Sequence, residues 1–133
     1  MLLHVMAICI GACLGALARW GLSLWLNPGA ALPWGTLAAN LLGGYLVGVC
    51  VAVFDAWPQL DPAWRLAAVT GFLGALTTFS TFSAEVTGML LQQRYALALG
   101  TAALHLLGSL LLTAAGLRSM GWWLATRAAG VEG

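Results

Sequence analysis

Apolar residues come in four long, nearly unbroken runs along the chain: Leu2–Leu26, Trp34–Phe54, Pro62–Leu91 and Ala96–Gly116. A bilayer core of about 30 Å needs about 20 helical residues, so each run is long enough to span it. The runs lack the period-two alternation of a transmembrane barrel. The pattern predicts an all-α membrane protein of four helices, at about 2–26, 34–54, 62–92 and 96–116, in one domain over residues 1–133. Four crossings place both termini on the same side. Short polar breaks punctuate the runs: Asn27-Pro28-Gly29 with Pro33, Asp61 before Pro62, and Gln92-Gln93-Arg94. Asp61 and Pro62 read as an N-cap followed by proline at the first helical position. Tryptophans 20, 25, 34, 57, 64, 122 and 123 fall near the predicted ends, as an interfacial belt does.

The polar residues inside the runs are arranged, not scattered. Thr101, His105, Ser109 and Thr113 recur every fourth residue, forming one ridge on the fourth helix. Thr36 and Asn40 are four apart on the second. The third carries Thr77, Thr78, Ser80, Thr81 and Ser83, with Phe79 and Phe82 sharing a face between them. Two readings stand. Hydroxyls in membrane helices commonly bond back to their own or neighbouring helices. The alternative is a lined path, and hydroxyls, an asparagine amide and a histidine donor suit a small anion. Phenylalanine edges carry partial positive charge and could solvate an anion where no formal charge exists. Lysine is absent, so no ring of ammonium groups draws anions in. Glu85, the one acid within a predicted span, reads as a helix-end or interface residue. Arg19 could snorkel, enrich anions at a vestibule, or pair with Glu85.

Helix three is long for its task. A straight helix from Pro62 to Gln92 would run about 46 Å at about 1.5 Å per residue. A break near Gly71 and Gly74 would absorb the excess. Carbonyls freed at that depth need a second subunit, water or a bound cation. Gly11 with Gly15, and Gly44 with Gly48, are spaced for close helix packing.

Composition agrees with the pattern: 62% of residues are hydrophobic and 7% charged, where soluble domains carry about 25% charged. The net charge of +1, with no basic patch, argues against a nucleic-acid partner. Arg65, Arg118 and Arg127 flank the side holding the termini, while Arg94 and Arg19 lie toward the other. So even a distribution is a weak orientation signal, which allows insertion both ways up and an antiparallel homodimer. No Lys or Arg precedes the first run, so it reads as a retained helix rather than a signal peptide. Cys9, Cys13 and Cys50 form no Cys-x-x-Cys pair and read as small apolar packing. No nucleophile–base arrangement, phosphate loop or metal-ligand cluster appears, so the chain does not read as an enzyme.

Three segments together, GALARW, GTLAANLLGG and GFLGALTTFSTFSAE, resemble the bacterial fluoride channels known as Fluc or CrcB. The likeness extends over nearly the whole chain, in its length and four spans. It implies a multi-pass protein of the bacterial cytoplasmic membrane that passively exports fluoride and limits its cytoplasmic accumulation. It further implies a dual-topology antiparallel homodimer with two pores, and a sodium ion at the centre of the interface. By position, Phe79 and Phe82 resemble the family's pore phenylalanines, and Asn40 its pore asparagine. Thr81, Ser109 and Thr113 resemble its polar track. Thr36 and His105 are added to that pathway from the stripes, the histidine at a position that varies in the family. Gly74 and Thr77 match the carbonyls that hold sodium, and Arg19 a vestibule residue. A small dual-topology exporter of cationic compounds is the rival. It calls for a carboxylate in the first helix, and none is there. A membrane subunit without transport activity is a further alternative.

Overall fold

Leucine, alanine and valine dominate the spans, and in lipid each backbone polar group must be satisfied within its own segment, so the runs fold as helices. The computed structural model describes residues 1–28 and 32–130. Helix α1 spans Leu2–Leu26 and α2 spans Trp34–Ala56. The third span is composite: α3 (Pro62–Arg65), a π-helix (Leu66–Leu73), α4 (Gly74–Leu76), then α5 (Phe79–Leu91) after a break. Helix α6 spans Tyr95–Ala129. All four spans are long and apolar enough to cross a membrane.

Two starts and stops follow local chemistry. Asp61 caps α3 by accepting the Ala63 N–H at 2.8 Å, with Pro62 opening the helix, as its sequence predicts. Helix α5 ends in a Schellman-type turn, in which Gln93 N–H donates to the Leu90 carbonyl and Arg94 N–H to that of Met89. Gln93 occupies the left-handed position there, with φ of 59°.

The expected break near Gly71 and Gly74 lies further on. Both glycines remain helical, and the chain becomes extended at Thr77 (φ −80°, ψ 150°) and Thr78 (φ −148°, ψ 113°). Gly71 serves packing instead, since a Cβ there would sit 2.6 Å from the Ile8 carbonyl of α1. Helix α6 runs 13 residues past the expected end at Gly116, and α2 ends at Ala56 rather than Phe54. Arg118 and Ser119 end the apolar run without ending the helix, because arginine, leucine and alanine are all good helix formers. From Tyr95 to Trp122 and Trp123 the rise is about 41 Å, close to a full bilayer with its headgroups. A helix of that length is long enough to carry the tryptophan pair to the far interface.

Small residues hold the bundle together. The broadest contact is between α2 and α6, followed by that of α1 with the π-helix. A Cβ on Gly48 would overlap the Thr113 carbonyl and one on Gly116 that of Tyr45, while Gly11 and Gly15 press on the carbonyls of Ala67 and Phe72. The glycine pairs therefore work as close-approach sites. Lipid tails give no hydrophobic drive between helices, so stability comes from this backbone proximity and from polar bonds. The core cluster is correspondingly slight: Ala39, Leu73 and Leu76. Large side chains such as Leu111, Trp25 and Leu99 face outward, as lipid-facing residues do.

Candidate functional site

The break at Thr77 and Thr78 sits midway along the third span, and side chains from α2 and α6 converge on it. Asn40 of α2 grips Thr78 from both sides. Its Oδ1 accepts the Thr78 N–H at 2.7 Å, and its Nδ2 donates to the Thr78 carbonyl at 3.1 Å. The same Nδ2 lies 3.0 Å from Nδ1 of His105 on α6. The Thr78 hydroxyl accepts the Thr81 N–H at 3.2 Å and donates to Thr81 Oγ1 at 2.9 Å, capping α5. A threonine N-cap of this kind typically contributes about 1 kcal/mol.

These bonds have a consequence for two carbonyls. In an unbroken helix Gly74 would receive the Thr78 N–H, and Thr77 that of Thr81. The first goes to Asn40 and the second to the Thr78 hydroxyl. Gly74 is exposed on the surface of the single chain and Thr77 half-buried, with the Thr77 hydroxyl bonded back to the Leu73 carbonyl at 2.8 Å. Main-chain oxygens released in this way are suitable ligands for a hard cation. Among the described residues no cluster of three His, Cys, Asp or Glu could bind a metal through side chains.

A concavity of about 460 Å³ opens beside the break. Of the sequence-predicted residues, Asn40, Gly74, Thr77, Phe79, Phe82, His105 and Ser109 line it. Phe79 stands 79% exposed, with its ring centroid 5.5 Å from that of Phe82 at an interplanar angle of 58°. Phe82 in turn lies against the His105 ring, centroids 4.6 Å apart. Among the described residues, none that lines it carries a carboxylate, ammonium or guanidinium. The cavity is lined by hydroxyl side chains, two phenylalanine rings and one imidazole.

Four expected residues lie elsewhere. Thr113 donates to the Gly44 and Ser109 carbonyls at 2.9 and 2.8 Å, so its hydroxyl ties α6 to α2. Thr81 is exposed beside Thr78 and outside the cavity lining. Thr36 is buried and donates to Glu85 Oε1 at 2.6 Å. Arg19 is half-buried on α1, away from the cavity. Thr101, the first residue of the α6 ridge, bonds the Met89 sulfur at 3.6 Å.

Two residues gain importance that the sequence pattern did not give them. Thr78 is the hub of the break, and its signal was the N-cap preference for threonine ahead of a new helix. Glu85 is drawn inward, with Oε1 on Thr36 and Oε2 buried without a partner among the described residues. With Asn27, Gln92 and Arg94 it lines a second concavity of about 390 Å³, where the α1–α2 and α5–α6 connections meet.

Comparison with known proteins follows the same lines. The family profile described as CrcB-like protein, Camphor Resistance (CrcB), matches residues 6–117. A protein of Albidiferax ferrireducens named fluoride-specific ion channel FluC is 71% identical over 125 residues, covering 94% of this chain and 96% of that one. Proteins of the same name from Paracidovorax citrulli and Variovorax paradoxus are 65% and 68% identical, over 94% and 90% of this chain and 99% and 96% of theirs. Four apolar spans, a broken third span and these likenesses together make the chain a member of the CrcB family.

Proposed function

We propose that this protein is a fluoride-selective channel of the bacterial inner membrane, through which fluoride leaves the cytoplasm passively. The observation that carries the reading is the cavity beside Thr78, which brings two phenylalanine rings, an imidazole and hydroxyl side chains together at mid-span without a formal charge. Its chemistry suits a small, hard anion. Fluoride entering a narrow path loses water, and hydroxyl, imidazole and ring-edge contacts replace it. A cationic side chain lining the path would bind the anion tightly and hold it, whereas conduction needs sites weak enough to leave. The names borne by the relatives supply the ion's identity.

A single copy leaves Phe79 and Gly74 outward-facing and the cavity open along one side. A second copy packed antiparallel would close it, giving two pores lined by both subunits. In that arrangement the Gly74 and Thr77 carbonyls of both copies supply four oxygens at the centre, a fitting set for sodium. A hard cation there would offset the freed carbonyl dipoles and join the subunits. The chain's own part is to hold those carbonyls out of the helix, through Asn40 and the Thr78 cap.

The exporter of cationic compounds has less support. Its exchange carboxylate would belong in α1, which carries none, and Glu85 lies near the end of the third span, bonded to Thr36. Purified protein in liposomes, with potassium and its ionophore clamping the voltage, separates the readings. Fluoride should leave and chloride should stay. Retention of fluoride by folded, reconstituted protein refutes the proposal.

A further inference from the structure

Helix α6 continues beyond its apolar run, and the added turns carry Arg118, Trp122, Trp123 and Arg127, all of them exposed. No Asp or Glu occurs between Tyr95 and Ala129, so neither arginine can pair within its own helix. Arg127 leans back one turn, as helix side chains do, and its guanidinium carbon lies 4.6 Å from the centroid of the Trp123 ring. Stacking of this kind uses the flat face of the guanidinium and leaves the N–H fork in its plane for an oxyanion. It also brings the charge of Arg127 back to the level of the tryptophans. Arg118 faces another way. Gly116 and Ser119 meet Tyr45 of α2, and at about 100° per residue Arg118 falls on the side of α6 turned from that contact. Trp122 stands one turn above it, about 6 Å further along the helix.

We infer that the outer end of α6 is a docking surface for anionic phospholipid, with one lipid phosphate held by Arg127 stacked on Trp123 and another by Arg118 beneath Trp122. Interfacial tryptophans sit at headgroup level, so an arginine within a turn of them meets the phosphate layer. A soluble acidic partner fits less well, because Arg118 lies a turn to the membrane side of the tryptophans and headgroups would stand in its way. The acids of this end belong to the α2–α3 connection: Asp55 closes α2, and Asp61 accepts the Ala63 N–H. At the opposite end Arg94 shares a concavity with Glu85, which offsets its charge. None of the four α6 residues lines the cavity beside Thr78, so the surface serves the protein whatever ion passes.

Retention of lipid by the full chain in detergent tests this directly. The protein is titrated with phosphatidylglycerol or with phosphatidylcholine, and native mass spectrometry reads how many lipids each chain keeps. Two sites per chain should prefer phosphatidylglycerol, by about fivefold at each, the effect of one basic residue near an anionic surface. Arg127→Gln and Arg118→Gln should each remove the preference at one site. The double variant should remove both, since residues on opposite sides of a helix act independently. Arg94→Gln, at the other end of α6, should leave the preference intact. Both α6 arginines are exposed, so the variants should unfold at the wild-type midpoint. Equal retention of the two lipids by the wild type, or a wild-type preference in the double variant, overturns the assignment. A double variant that keeps the preference but changes oligomeric state overturns it too, and gives the surface to contact between copies of the chain.

Discussion

Thr78 is where the third span gives up its helix, and three of its polar groups are claimed by side chains. Its N–H and carbonyl belong to Asn40, and its hydroxyl belongs to the first turn of α5. In lipid a bare main-chain group costs several kcal/mol, so these bonds are what make the break tolerable. Phe79 follows at once, and the break thereby aims two rings at the cavity. Replacing either ring by isoleucine keeps bulk and removes the positive edge. Phe79→Ile or Phe82→Ile should slow fluoride flux by about fivefold, for an edge interaction worth about 1 kcal/mol, with the elution profile of the purified protein unchanged. Equal flux in both variants would take the ring edges out of the path. The residue types at the site were legible in the chain: a row of hydroxyls with two phenylalanines has few uses in a membrane. Which hydroxyls face the cavity was not. Ser109 and Thr113 stand one turn apart on the same ridge, yet Thr113 is bonded to the Gly44 carbonyl and only Ser109 lines the cavity.

Helices are decided by length and apolarity, which is why all four spans could be read directly. Their interruptions are decided elsewhere. Glycines at 71 and 74 drew the expected break toward themselves, but the competitor for the helix hydrogen bonds is Asn40, 38 residues away in sequence. No local pattern reports such a partner. The end of α6 was misplaced for a related reason, since polarity closes the apolar run before it closes the helix. Glycine spacing was more dependable, because Gly48 and Gly116 have no room for a side chain against facing carbonyls. Gly48→Ala should therefore force α2 from α6, at a cost of about 1–3 kcal/mol or more. Thermal unfolding in detergent should show a clear fall in midpoint. A midpoint equal to wild type would mean that the two backbones are not in close contact.

Across the whole molecule the polar residues follow one plan. The lipid-facing surface is large and apolar, the interior combines glycine, alanine and threonine with Leu73, Leu76 and Met89, and the uncharged cavity lies at mid-span. Glu85 and Arg94 are set apart around a second concavity toward one end. Such a layout favours passage of one small anion down its gradient over coupled exchange, because no described residue lining the cavity is a carboxylate that could carry a proton across. Current through a planar bilayer tests that claim most directly, with fluoride unequal on the two sides and chloride and pH equal. Current should reverse at the equilibrium potential of fluoride and stay there when a pH gradient is imposed. A reversal potential that follows the proton gradient, or that stays at zero despite the fluoride gradient, would contradict it.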